Sequence, residues 1–287
     1  MRGLLHPSIL LGCLFLAACT APSVVDDAGA IDGSLGSVGL VQIERLASAD
    51  PRLSGDQALV EAAFARYRSV DGRAVLGLLG GPATDTDRCV LLAGGDAMGQ
   101  PEASVELVDM GSLDVSVAGT ESRVFPRTFP DLAGVVSGAF YAEDALLAPA
   151  RAELDEYLVS ATGTSQVPAF EALVVPPAGF SELEIDGLSA DGLSELVRGT
   201  DIPVLWDAGD PMDYVELEIA ASGRTVSCVA QDDGQFTVPG DVMTGLEVDA
   251  EARVSVRRVR RELFDLAGFD AAWASVAVTS TYLVALR

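Results

Sequence analysis

Residues 213–220 read Asp-Tyr-Val-Glu-Leu-Glu-Ile-Ala, and this stretch decides the fold class. Val215, Leu217 and Ile219 share one side of an extended chain and the intervening glutamates share the other, because successive strand residues point to opposite faces. A second apolar stretch, residues 224–229, follows after a Ser-Gly turn and is expected to pair with the first. The pattern predicts an antiparallel hairpin with one buried face.

Short segments of the same kind recur along the chain between Gly, Pro and Asp turn residues. Residues 57–79 fit a helix or a strand, with a strand preferred for 59–68, and residues 145–156 fit a short helix or a loop. Strands at this spacing predict a mainly β protein built of β-sandwiches rather than α/β units. The other predicted strands are 38–44, 89–93, 105–108, 113–117, 135–141, 157–161, 170–175, 203–207, 236–239, 253–257, 274–278 and 282–286.

The C-terminal third carries a recognisable arrangement. Trp206, Gly209-Asp210, the strand at 214–219 and the Asp233-Gly-x-Phe-x-Val-Pro239 turn resemble a fibronectin- or immunoglobulin-like β-sandwich module. Such modules recur in bacterial surface lipoproteins, and the resemblance implies no catalytic residues. Pro176-Pro177 marks a boundary before the module, because proline cannot donate to a strand ladder. We therefore expect two β-sandwich domains, residues 38–177 and 178–287.

The N-terminus has the features of an export signal. A positive start at Arg2 and an apolar segment lead to Leu16-Ala-Ala-Cys19, which predicts a signal peptide over residues 1–18. The apolar segment is too short for a transmembrane helix, which needs about 20 residues. Leu-Ala-Ala-Cys resembles the lipobox of bacterial lipoproteins, which implies cleavage before Cys19 and a lipid on its thiol. The alternative is an ordinary cleavage site with an incidental cysteine.

The resemblance also implies a location. Thr20 follows the cysteine, where an Asp would resemble the inner-membrane retention signal, so the motif points to the outer membrane. Residues 19–37 are rich in Gly, Ser and Asp and predict a flexible tether. The expected membrane contact is therefore the N-terminal lipid.

The charge and composition exclude several functions. Without residues 1–18, the chain keeps 17 basic and 43 acidic side chains, a net charge of −26 that disfavours nucleic acid as a partner. There is no Lys, and the one His is His6, inside the predicted signal peptide. Histidine-based triads, His-ligated zinc, phosphate-binding loops and Schiff bases are thereby excluded. We expect a non-enzyme without a cofactor.

Two groups of aspartates, four arginines and the two tryptophans are further candidate sites. Asp85 with Asp87, and Asp207, Asp210 and Asp213, are spaced as hard-cation ligands, but solvated turns are the favoured interpretation. Arg257, Arg258, Arg260 and Arg261 could dock a phosphorylated headgroup or an acidic partner, and self-neutralisation by nearby carboxylates is favoured. Their doubled arrangement also predicts a β-bulge. Trp206 and Trp273 could be ligand platforms, but core positions are favoured.

The cysteines predict a disulfide. Cys13 leaves with the signal peptide and Cys19 is acylated, so Cys89 and Cys228 remain in an oxidising compartment. A bond between them would lie at the interface of the two expected domains, and two buried free thiols are the alternative.

These features predict a lipid-anchored envelope protein that is a non-catalytic binding or structural module with a protein or glycan partner. The alternatives are a carboxylate-dependent hydrolase of envelope polysaccharide and an accessory subunit of a secretion or adhesion machine.

Overall fold

The structure is a computed structural model that describes residues 35–47, 57–68, 70, 72–79, 86–93, 104–132, 136–147, 156–248 and 250–287. The predicted signal peptide, Cys19, Asp85 and most of the predicted tether lie outside these residues. The described chain is mainly β, which confirms this part of the predicted fold class. No helix in these ranges is both long enough and apolar enough to cross a membrane.

The described chain contains nineteen strands and two short α-helices. The strands are β1 (Leu35–Ala47), β2 (Gln57–Arg68), β3 (Arg88–Ala93), β4 (Ser104–Leu107), β5 (Leu113–Val117), β6 (Thr120–Val124), β7 (Pro126–Leu132), β8 (Val136–Leu147), β9 (Tyr157–Ala161), β10 (Phe170–Val174), β11 (Leu183–Ile185), β12 (Leu188–Ser189), β13 (Glu195–Leu196), β14 (Ile202–Trp206), β15 (Tyr214–Ala221), β16 (Arg224–Gln231), β17 (Gln235–Val238), β18 (Glu251–Leu263) and β19 (Ala271–Leu286). The helices are α1 (Gly72–Leu78) and α2 (Gly240–Met243).

One 11-stranded sheet organises the molecule. Its strand order is β3-β16-β15-β18-β19-β1-β2-β4-β8-β7, with β13 added at the end of β19. The predicted hairpin of β15 and β16 lies within it, and β1 joins β19 in parallel over ten residues. Two four-stranded sheets, β10-β9-β5-β6 and β12-β11-β14-β17, complete the β structure.

Each small sheet covers a different part of the same face of the large sheet. The first core lies under β5, β6, β9 and β10, and it takes Ala272, Ala274 and Val276 from the first half of β19. The second core lies under β11, β14 and β17, and it takes Val284 and Leu286 from the end of the same strand. β19 therefore contributes to both cores.

The boundary predicted at residue 177 coincides with the passage from one small sheet to the other. The large sheet, however, contains strands from both sides of that residue. Pro176 and Pro177 are buried, and Gly179 lies against Val278 of β19. The connection is thus packed onto the sheet between the two cores.

Several predicted elements differ in detail from the structure. β1 begins at Leu35, within the predicted tether, because residues 35–37 pair with residues 66–68 of β2. The Ser37 N–H and hydroxyl also donate to the Asp270 carboxylate. Residues 57–79 form a strand and then a helix, so both interpretations apply to part of that stretch. β8 extends to Leu147, and the two predicted C-terminal strands are one, β19.

The predicted bulge in β18 is wrong. The pairing of β18 with β15 and with β19 runs through Arg257 and Arg258 without a register shift. The apolar pattern changes phase there because Val259 is buried on the face opposite to Val254 and Val256.

Candidate functional site

The four arginines of β18 alternate between the two faces of the large sheet, and each one meets partners from β15 or the loop before it. Arg257 and Arg261 point to the face away from the small sheets. Arg257 lies 3.2 Å from Glu216 and 2.5 Å from Glu218, and Arg261 donates to the Tyr214 hydroxyl at 3.0 Å. The favoured interpretation, self-neutralisation, describes Arg257, and it also describes Arg258 and Arg260, which pair with aspartates.

Arg258 is fully buried on the other face and fixes the connection between the two small sheets. Its Nε lies 2.9 Å from the Asp232 carboxylate, whose side chain is also fully buried. Its other nitrogens donate to the carbonyls of Ala178, Gly179 and Asp207, and its guanidinium lies 4.5 Å from the centre of the Phe180 ring. Arg258 therefore has a structural role, and because its side chain is fully buried it cannot contact a partner.

The proposed cation ligands are held by arginines or by the backbone. Arg260 forms a two-pronged pair with Asp213, at 2.7 and 2.8 Å, and lies 3.5 Å from Asp210. Asp207 accepts from the Ser181 and Glu182 N–H groups and lies 3.7 Å from Arg258. Burial acts to raise the pKa of Asp207, but these N–H groups and Arg258 outweigh burial and lower the pKa below its ordinary value.

Asp87 accepts from the Gln231 N–H at 3.3 Å and from the Gln231 side-chain amide at 3.5 Å. Within the residues that the structure describes, no three His, Cys, Asp or Glu side chains converge as a metal site would require.

The two tryptophans occupy packed positions. Trp206 is 7% exposed in the second core, and its indole N–H donates to Asp232 at 2.7 Å. Trp273 is half-buried on the opposite face beside α1, where Val75 and Leu76 pack against β1, β2, β4 and β8. Trp206 is therefore not a ligand platform.

Cys89 and Cys228 form a disulfide, with Cα atoms 4.0 Å apart and a sequence separation of 139. They lie directly opposite each other on the antiparallel strands β3 and β16. The bond thus attaches β3, the edge strand of the large sheet, to the half of the sheet that follows residue 177.

A groove of about 330 Å³, lined by both polar and apolar residues, lies on the face of the large sheet away from the small sheets, next to α1. We call it the sheet groove. Residues from seven consecutive strands of the sheet, β3 to β2, and Gly77 of α1 line it. The lining residues are Gln42, Ile43, Glu44, Leu59, Glu61, Gly77, Leu92, Tyr214, Glu216, Glu218, Ser227, Val229, Arg257, Val259, Ser275 and Ala277.

The charges in the sheet groove are unbalanced. Its lining contains four glutamates, Glu44, Glu61, Glu216 and Glu218, and one arginine, a formal charge of −3. Burial, reinforced by Glu218 and Glu44, raises the pKa of Glu216 although Arg257 acts in the opposite direction. The same glutamates raise the pKa of Arg257 despite its burial.

Sequence reasoning missed the sheet groove. It placed Glu216 and Glu218 on the solvent side of a strand, and it gave no role to Glu44 or Glu61. Polar residues alternating with apolar ones are typical of any strand with a solvent face. The sequence does not indicate that these polar faces adjoin across seven strands.

Comparisons with known proteins assign no family. No protein-family model matches the sequence, and no curated protein matches it.

Proposed function

We propose that this protein is a lipid-anchored envelope protein whose folded part is a non-catalytic binding module, with the sheet groove as its binding surface. The groove is the observation that carries the proposal. Concave sites with a few convergent polar groups and a perturbed carboxyl pKa are the usual location of ligand binding.

Two features support export and anchoring. The Leu16-Ala-Ala-Cys19 motif resembles a lipobox, and Thr20 favours delivery to the outer membrane. The Cys89–Cys228 disulfide fits an oxidising compartment, since disulfides persist mainly outside the cytosol. The lipid would attach the protein by its N-terminus and leave the sheet groove free to meet a protein or a glycan.

The finer part of the fold prediction belongs to this proposal as well. Each small sheet with its part of the large sheet would be one β-sandwich, and the second would be the fibronectin- or immunoglobulin-like module. Support comes from the two cores, because the buried residues of the second all follow residue 182, with Cys89 of β3 packed against them. The shared strand β19 would make the two sandwiches one rigid unit.

A hydrolase of envelope polysaccharide is the second candidate, and one observation favours it. Glu216 has a raised pKa beside other carboxylates, as a general acid needs. Arg257 argues against catalysis, because its guanidinium lies within 3.2 Å of both Glu216 and Glu218 and occupies the space between them. A substrate oxygen would have to displace that ion pair.

Lipid labelling and turnover assays test the proposal. Cells that express the protein should incorporate a palmitate analogue into it, and Cys19→Ser should abolish the label because only the thiol accepts the diacylglycerol. Undiminished label in that variant would refute the anchor. Purified protein should release no products from envelope glycans, and hydrolysis that disappears in Glu216→Gln would establish the hydrolase instead.

A further inference from the structure

We infer that the sheet groove binds a guanidinium or ammonium group on a short aliphatic stem, held between Glu44 and Glu61. This inference rests on the proposed binding function and names its ligand class. It follows from the shape of the groove, the register of β1 and β2, and the distribution of charge along the groove.

The register places Glu44 and Glu61 close together on one face. Gln42 lies opposite Glu61 and Glu44 lies opposite Leu59, so the two glutamates are diagonal neighbours across an antiparallel pair. Such neighbours lie about 7–8 Å apart. That spacing lets one guanidinium or ammonium group meet both carboxylates.

The direct ion pairs of Arg257 lie at the other end of the groove, and only its longer-range attraction reaches Glu44. Arg257, the one basic lining residue, meets Glu216 and Glu218 on β15. Glu44 accepts a hydrogen bond from the Thr279 hydroxyl at 2.7 Å, which fixes its side chain without neutralising it. Glu61 is exposed and has no ion pair among the described residues.

Apolar side chains beside these carboxylates provide a surface for the stem of the ligand. Leu59, Ala277 and Val259 line the groove in the rows next to Glu44 and Glu61. Long basic side chains lay their methylene groups on apolar surface while the charged end meets polar groups. An arginine or lysine side chain has this composition, and so does a free diamine.

Calorimetric titration of the full chain in detergent, at physiological salt, tests the inference. The probes are N-acetyl-arginine methylamide and its neutral isostere, N-acetyl-citrulline methylamide. The arginine probe should bind at least about tenfold more tightly than the citrulline probe, since only the former is charged. Equal binding of the two probes, or no binding of either, would overturn the inference. Putrescine in a separate titration distinguishes a free diamine from a polypeptide side chain as the source.

Matched variants locate the site. Glu61→Gln and Glu44→Gln should each weaken binding of the arginine probe by about tenfold, because each removes one charged acceptor. Glu184→Gln, on the exposed face of β11 in a small sheet, removes the same charge and should leave binding unchanged. If Glu184→Gln weakened binding equally, the net charge of the protein would explain the attraction, and the site at Glu44 and Glu61 would be refuted.

The result is separable from the test of the proposed function. Failure of the arginine probe, with lipid labelling intact and no glycan turnover, would remove the ligand class and leave the anchored, non-catalytic module. Glycan hydrolysis that depends on Glu216 would refute the proposed function, whatever the probe does.

Discussion

The guanidinium of Arg258 and the carboxylate of Asp232 form an ion pair in which both side chains are completely buried, with Nε and Oδ2 2.9 Å apart. The pair lies at the junction of the two cores. Asp232 also accepts from the Trp206 indole, and Arg258 also binds the backbone of residues 178 and 179. This pair therefore joins β18, the residue that follows β16, the Trp206 end of β14 and the segment between the two small sheets.

Arg258→Met should lower the free energy of unfolding by about 3–5 kcal/mol, because it leaves the Asp232 carboxylate buried without its cation. Urea unfolding followed by tryptophan fluorescence measures the change. The control is Arg123→Met, which breaks an ion pair with Asp114 whose arginine is half exposed, and should leave the unfolding midpoint unchanged. Equal midpoints for Arg258→Met and the wild type would contradict the structural role of the buried pair.

The disulfide provides a second prediction. Cys89→Ala with Cys228→Ala should lower the free energy of unfolding by about 2–4 kcal/mol, because the bond closes a long loop and restricts the unfolded chain. The wild-type protein, denatured without reductant, should titrate no free thiol from these two residues. Two free thiols would rule out the bond. Loss of β3 from the sheet in the variant would appear as faster amide exchange at residues 88–93.

Local sequence pattern determined which residues form strands, because a strand with one buried face alternates over a few residues. β15 and β16 are the clearest example, and every side chain predicted to face inward at 215, 217 and 219 is buried. Strand pairing between distant segments leaves no such local signal. The parallel ladder of β1 with β19 joins residues more than 230 positions apart, and nothing in either segment specifies the other.

The same limit applies to the candidate site. The self-neutralisation of Arg257 was predicted from composition, since acidic residues outnumber basic ones. The sheet groove was not predicted, because Glu44 and Glu216 share it only through the order β15-β18-β19-β1. The ambiguity of β2 has a local cause, because its alanines fit a helix as well as a strand.

The raised pKa of Glu216 predicts that the stability of the protein depends on pH. Burial and its carboxylate neighbours raise its pKa in the folded state above the ordinary value of 4.5, so the folded protein holds this proton more tightly than the unfolded chain. The resulting stabilisation is complete below about pH 4.5 and is lost as the pH rises through the folded pKa. Asp207, whose pKa is lowered in the folded state, has the opposite effect. Its contribution to stability is complete above about pH 3.8 and is lost as the pH falls below that value.

Glu216→Gln isolates this contribution, because glutamine stands for the protonated acid at every pH. As the pH increases from about 4.5, the wild type loses this stabilisation and the variant does not. The difference in free energy of unfolding, variant minus wild type, should therefore rise. Urea unfolding at a series of pH values measures the difference, with Glu184→Gln as the control for loss of one negative charge. A difference that is constant from pH 4 to pH 8 would refute the raised pKa.

Cutting the chain before residue 178 tests whether the second core is independent. The fragment 178–287 contains every buried residue of that core, so it should fold, with Trp206 remaining shielded from solvent. It lacks β3, so Cys228 loses its disulfide partner Cys89, and it lacks β1, whose parallel ladder covers Ala271–Ser280. Ala272, Ala274 and Val276 of the first core are therefore exposed. The first half of β19 should therefore exchange its amide hydrogens rapidly, while residues 281–286 stay protected.

Hydrogen exchange read by mass spectrometry separates the outcomes. Protection confined to the end of β19 would show that the two cores fold as separate units and share only this strand. Uniform protection of β19 in the fragment would mean that the β18 ladder alone holds the strand. Uniform rapid exchange, with Trp206 exposed, would mean that the second core depends on the first, and that the large sheet is one cooperative unit. We expect the first outcome, because the buried residues of each core come from different halves of β19.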